Sequence, residues 1–175
     1  KKEGIKSPKP LIKVFGIELL IWSLNSFKFE EDDKIYIVTM INHKVKKRIL
    51  KKIQLLYPNI KIFWLELNKL PNGQLLTALE AIKHFKINGK LIIHNCDTFH
   101  NANIDQINRY LDKKDCFGVV PCFKGFGEHW SFFKTSLKDS SLVIEVREKY
   151  RISDNCSVGT YAFKSCKEFL KLSNN

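Results

Sequence analysis

Between residues 35 and 93 the chain switches four times between strand and helix periodicity, and this constrains the fold more than any other feature. Ile35-Tyr36-Ile37-Val38-Thr39-Met40 is a β-branched, apolar run that reads as a buried strand. Asn42 is placed to cap a helix running to about Tyr57, where Pro58 stops it. Ile60 to Leu67 reads as a second strand, followed by the loop Asn68-Lys69-Leu70-Pro71-Asn72-Gly73. A helix from Gln74 to about Lys86 turns Leu75, Leu79, Ile82 and Phe85 inward, and Gly89 leads into a short buried strand, Leu91 to Ile93. Strand, helix, strand, helix, strand predicts an α/β domain: a Rossmann-like, mostly parallel mixed sheet flanked by helices, with right-handed crossovers.

The flanks are less regular. Residues 1–10 hold Pro8 and Pro10 around Lys9 and read as a loop, Leu11 to Phe15 is a short apolar segment, and Ile17 to Phe27 has helical spacing. After residue 98, Ile104 to Leu111 reads as a helix capped by Asn103. Short strands follow at Cys116 to Phe123, Ser131 to Thr135, Leu142 to Val146 and Val158 to Phe163, the middle two joined by the turn Lys138-Asp139-Ser140-Ser141. This half is expected to be antiparallel, closing on a helix from near Ser165 that frays into Ser173-Asn174-Asn175.

Composition narrows the function. With 175 residues, 44% of them hydrophobic, the chain suits one domain with a substantial core. No apolar run reaches the ~18 residues of a membrane span. Five scattered cysteines without C-x-x-C spacing indicate reduced thiols and a cytoplasmic setting. The net charge of +12 points to nucleic acid or to a polyanionic small molecule. Arginine, the residue suited to reading base edges, supplies only Arg48, Arg109, Arg147 and Arg151, and no basic-aromatic signature is present. Lys44 to Lys52 interleaves with Val45, Ile49, Leu50 and Ile53 and reads as the solvated face of a helix. No nucleic acid and no membrane partner is therefore expected, and no residue pattern assigns an oligomeric state.

Four stretches bear chemistry. After Leu91-Ile92-Ile93 come His94-Asn95-Cys96-Asp97-Thr98, polar residues at the carboxyl end of a strand, where open α/β sheets bind ligands. Asp97 there suits a metal or a phosphate, or else a turn that bonds its own backbone. Asn72-Gly73-Gln74 through Thr77 begins a helix whose free N–H groups attract anions or bond a base edge, Gly73 being otherwise a turn glycine. Pro8-Lys9-Pro10 stiffens the backbone, either to aim an ammonium at phosphate or as a rigid lead-in to the next element. Glu148-Lys149-Tyr150-Arg151-Ile152-Ser153-Asp154 sets charges and a hydroxyl just past a strand, as a functional loop or a solvated one.

Together these segments resemble the nucleotidyltransferases that make activated sugars and related headgroups, a family with a glycosyltransferase-A-like, Rossmann-related sheet. Ser7-Pro8-Lys9-Pro10-Leu11 is similar to that family's Pro-Lys-Pro-Leu signature, Asn72-Gly73-Gln74 with Thr77-Ala78-Leu79 to its base-binding loop and helix, and Asn95-Cys96-Asp97-Thr98 to its metal-binding Asn-x-Asp. Glu148-Lys149 with Ile152-Ser153-Asp154 and Val158-Gly159-Thr160-Tyr161 resembles its Glu-Lys and Ser-Asp regions, and His129-Trp130-Ser131-Phe132 a Trp-Ser segment of capsule-type members. Two family features have no counterpart, an opening strand with a Gly-rich loop ending in arginine and a later C-terminal segment. Residues 1–175 are thus expected to form a single nucleotidyltransferase-like domain lacking both.

The resemblance implies an enzyme that joins a nucleoside triphosphate, with CTP favoured, to a phosphorylated small-molecule acceptor, releasing pyrophosphate for capsule or cell-surface precursor synthesis. It implies Mg²⁺ on Asp97, catalytic roles for Lys9, Asp97 and Lys149, and nucleotide contacts from Gly73, Gln74, Thr77 and Asn95. Glu148, Asp154 and Trp130 would meet substrate hydroxyls or the acceptor. Uridylyl or thymidylyl transfer to a sugar phosphate is the alternative within the family. A catalytically inactive nucleotide-binding module is the alternative outside it.

Overall fold

The run of alternating side chains at residues 34–40 and its partner at 61–67 build a parallel pair of strands. In the computed structural model, which describes residues 7–173, a 3₁₀ turn at Lys9–Leu11 precedes β1 (Lys13–Val14), β2 (Ile17–Glu18), α1 (Leu19–Leu24) and β3 (Lys34–Met40). Then come α2 (Val45–Leu56), β4 (Lys61–Leu67), α3 (Gln74–Phe85), β5 (Leu91–His94) and α4 (Ile104–Leu111). The remainder holds β6 (Gly118–Val119), β7 (Cys122–Lys124), β8 (Ser131–Thr135), β9 (Val143–Glu148), β10 (Asn155–Ser157), β11 (Thr160–Phe163) and α5 (Cys166–Ser173). Residues 1–6 of the expected leading loop and residues 174–175 of the fraying end lie outside the described residues.

β3 and β4 pair in parallel from Lys34 opposite Lys61 to Met40 opposite Leu67. Ile35 and Ile37 on one face pack with Leu20, Ile21 and Leu24 of α1 and Val45, Ile49 and Ile53 of α2. On the other face Tyr36 stacks on Phe63 at 4.9 Å and Phe85 of α3 closes over both rings. Each fully buried aliphatic side chain contributes about 1.5–3 kcal/mol, so helices on both faces hold this pair in place. The lysines of α2 lie on its solvent side, as its spacing predicts.

The mostly parallel sheet is only partly present. β5 joins neither β3 nor β4; it pairs antiparallel with β11, Thr160 opposite His94 and Phe163 opposite Leu91, and β11 pairs antiparallel with β6. β7, β10, β8 and β9 form a separate antiparallel sheet in that order. β5 is four residues long and its hydrogen bonds go to the returning C-terminal strand, a pairing that periodicity cannot reveal because it joins residues more than sixty apart. Nor is β5 fully buried: Ile92 is 38% exposed.

Other local expectations shift for identifiable reasons. Ile17 and Glu18 belong to a hairpin turned at Phe15 and Gly16, both at positive φ, so the helix there shrinks to Leu19–Leu24. Asn42 does not cap α2; residues 41–43 form a 3₁₀ turn and Lys44, in the left-handed region, starts the helix. Of the four side chains expected inward on α3, Leu75 is 46% exposed, while Ile82 is buried together with Ala81, Leu79 packs beside it and Phe85 meets Tyr36 and Phe63. The expected strand at 116–123 is broken in two around Pro121, and β10 forms where a loop was expected. Asn103 does cap α4, its side chain accepting from Gln106 N at 3.0 Å, and the β8–β9 hairpin forms across the expected turn.

Candidate active site

The loop that leaves β5 is fastened by its own backbone on both sides of Asp97. Asn95 N–H donates to Gly159 O at 3.2 Å, and Asn95 O accepts from Ser23 Oγ of α1 at 2.8 Å. Cys96 packs against the cluster formed by α1, α2 and β3, where burial pushes its thiol up to about 11. Thr98 O is bonded to the His94 ring at 3.0 Å.

Lys9 meets the carboxylate from the far end of the chain. Pro8 and Pro10 shape the 3₁₀ turn, Leu11 anchors it in the core, and Lys9 Nζ donates to Asp97 Oδ2 at 2.8 Å across 88 residues of sequence. This hydrogen bond, reinforced by the opposite charge, holds the Lys9 ammonium above the ordinary lysine range. The turn thus leads into the core at Leu11 and sets the Lys9 ammonium on the Asp97 carboxylate.

The nucleotide-binding candidates at the start of α3 connect to the loop of Asn95 and Asp97 through Gly159. Gly73 precedes α3 at φ +98, a backbone few other residues adopt, and Thr77 Oγ1 donates back to Gly73 O at 2.9 Å. Gln74 Nε2 reaches Gly159 O at 3.4 Å, the same carbonyl that Asn95 N–H uses. One carbonyl thus links the start of α3 to the Asp97 loop. Glycine suits this position: it stands at φ +79, and a Cβ on it would stand 2.3 Å from Asn95 Nδ2, so that side chain would have to move.

The remaining candidates form a second group. Lys149, in the left-handed region at φ 55, pairs through Nζ with Glu148 at 3.2 Å and donates its N–H to Trp130 O at 2.8 Å. Its ion pair is thus with Glu148 rather than Asp97. Trp130 Nε1 donates to Phe126 O, and Asp154 accepts from Arg151, whose guanidinium also reaches Gly125 O and Gly127 O. Ser153 donates to Phe133 O, tying this loop to β8.

Sequence reasoning passed over Gly159 as a site residue, and with it His94, His100 and Thr160. The signal lay in spacing: His94 and His100 each stand three residues from Asp97, and Gly159 and Thr160 fall in the Gly-Thr-Tyr stretch already noted. Among the described residues no cluster of three or more His, Cys, Asp or Glu side chains forms a cage for a metal. Magnesium asks for less, one or two carboxylates with phosphate oxygens and water completing its shell, and Asp97 with a quarter of its side chain exposed fits that demand.

No family model matches the chain, and no curated protein matches it. Solved structures do. A nucleoside-diphosphate-sugar pyrophosphorylase from Vibrio cholerae is 26% identical with a TM-score of 0.79, over 99% of this chain and 71% of that one. A candidate glucose-1-phosphate thymidylyltransferase from Bacillus anthracis, in complex with a sucrose, is 15% identical with a TM-score of 0.73, over 90% of this chain and 63% of that one. An apo UDP-glucose pyrophosphorylase is 14% identical with a TM-score of 0.65, over 90% of this chain and 68% of that one. The chain therefore spans roughly two thirds of the length of these proteins, and its fold is the nucleotidyltransferase fold that they share.

Proposed function

We propose that the chain is a nucleotidyltransferase that joins a nucleoside triphosphate to a phosphorylated small-molecule acceptor and releases pyrophosphate. The observation that carries this reading is the Lys9–Asp97 ion pair at 2.8 Å, which sets a cation and a carboxylate together at the carboxyl end of β5. In the reaction an acceptor phosphate oxygen bonds to the α-phosphorus while the α–β bridging bond breaks, its electron pair leaving with pyrophosphate. Two polyanions must approach and charge grows on the leaving group, so the chain's task is electrostatic.

Lys9 stays protonated at neutral pH and offsets phosphate charge. Gly73 and the free N–H groups at the start of α3 receive the base, with Gln74, Thr77 and Asn95 fixing that edge of the site. Lys149 supplies a second cation near Trp130, and Glu148 and Asp154 orient ribose or acceptor hydroxyls. Magnesium held by Asp97 would neutralise phosphate charge. The setting in this reading is cytoplasmic, on the strength of five scattered cysteines without C-x-x-C spacing.

CTP is the first triphosphate in this reading, on the strength of the Asn-x-Asp and Trp-Ser segments, which point to capsule or headgroup precursors. A second reading, uridylyl or thymidylyl transfer to a sugar phosphate, is favoured by the names of the similar structures. The test is a pyrophosphate-release screen of CTP, UTP, dTTP and GTP with Mg²⁺ against phosphorylated sugars and headgroups. One triphosphate should be used in strong preference, and Asp97→Asn should abolish that turnover with the fold intact. Release unaffected by Asp97→Asn removes the site assignment; no release with any pair leaves the inactive nucleotide-binding module.

A further inference from the structure

Three side chains that the reaction above does not use form one ordered chain of hydrogen bonds behind Asp97. Ala102 N–H donates to His100 Nδ1 at 3.2 Å, so that nitrogen carries no proton and the proton sits on Nε2. His100 Nε2 lies 2.7 Å from Thr160 Oγ1 and donates to it. At the other end Thr98 O can only accept, so His94 Nε2 carries a proton and donates across 3.0 Å. His94 Nδ1 is then bare and accepts the Thr160 hydroxyl proton at 2.7 Å.

Every donor in the chain faces an acceptor, and one arrangement of protons satisfies all four contacts. The result ties both ends of the segment 98–102 to one hydroxyl. Thr160 has no solvent exposure, and strand register puts it there, since Thr160 stands opposite His94 in the β5–β11 pair. Phe27 lays its ring edge-on against both imidazoles, at 4.9 and 5.6 Å, and His100 N–H is held by Ser26 Oγ at 3.0 Å. The cluster is therefore a built joint between β11, the turn after α1 and the segment that follows Asp97.

We infer that Thr160 is a positioning residue for Asp97: its hydroxyl, through His94 and His100, fixes the backbone that presents the carboxylate. This rests on the role given to Asp97 above. Both rings must stay neutral for the chain to hold, and burial keeps the affinity of each for a proton below its ordinary value.

Thr160→Val keeps the shape and removes the hydroxyl, while Thr160→Ser keeps the hydroxyl. Amide hydrogen exchange across residues 95–102 should speed up in Thr160→Val and return to the parent rate in Thr160→Ser, with α2 unchanged in both. The Mg²⁺ concentration for half-maximal pyrophosphate release should rise about 10–100-fold in Thr160→Val, as for loss of a group that orients a metal ligand, and recover in Thr160→Ser. In the parent protein, long-range ¹⁵N–¹H correlations should show both rings as the Nε2–H tautomer. An Nδ1–H tautomer at either ring overturns the chain even if Thr160→Val fails to fold, and unchanged exchange at 95–102 overturns the positioning role. A parent that turns over no triphosphate defeats the proposed function, while exchange and tautomers still judge this inference.

Discussion

Gly159→Ala tests the junction on which the candidate site is built. Gly159 sits at φ +79, where an alanine costs about 1–2 kcal/mol relative to glycine because its Cβ crowds the following carbonyl. The new Cβ would also lie 2.3 Å from Asn95 Nδ2 and 3.1 Å from Asn95 Cγ, so the Asn95 amide must swing away. If the backbone at Gly159 shifts as well, it loosens the bonds from Asn95 N and Gln74 Nε2 to Gly159 O, each worth about 1 kcal/mol when satisfied. The strain alone is a loss of about 1–2 kcal/mol, and losing both bonds as well brings it to about 3–4 kcal/mol. Urea denaturation of the parent, Gly159→Ala, Asn95→Ala and the double variant would measure it. Asn95→Ala removes the atoms in the clash, so the double variant should lose less than the two singles together by about 1 kcal/mol or more. Additivity within about 0.5 kcal/mol, or a single-variant loss below about 1 kcal/mol, would refute the close approach of these two residues.

Two further outcomes follow from the site. Burial holds the His94 imidazole down at about 4, against an ordinary 6.5, so between those values the unfolded chain binds more protons than the folded one. Stability from this group is full above pH 6.5 and falls as pH drops toward 4, by about 3 kcal/mol at most; a His94 ring resonance that titrates above pH 6 would contradict it. Lys9→Met removes an exposed ion pair, so urea stability should change by no more than about 1 kcal/mol. Pyrophosphate release should fall sharply in the same variant, and equal losses of activity and stability would assign Lys9 a structural role instead.

Local signals located the elements well where one face of a segment had to be buried. The α2 periodicity placed Val45, Ile49 and Ile53 in the core, and Asn103 announced the start of α4. They failed where backbone geometry or a distant partner decided. Lys44 starts α2 from the left-handed region although Asn42 has the better capping side chain, and Ile17 and Glu18 follow a hairpin turn rather than their helical spacing.

The amino-acid sequence alone determined the α/β alternation, the rigidity around Lys9 and the carboxylate at the end of β5, because apolar period, proline and strand-end polarity are properties of neighbouring residues. Tertiary structure alone decided that β5 pairs antiparallel with β11, that Lys9 reaches Asp97, and that one carbonyl of Gly159 and one hydroxyl of Thr160 brace the loop between them. Those contacts join residues dozens of positions apart. Only the packing of α1, α3 and β11 around β5 brings their atoms within hydrogen-bonding distance, and no local preference encodes that.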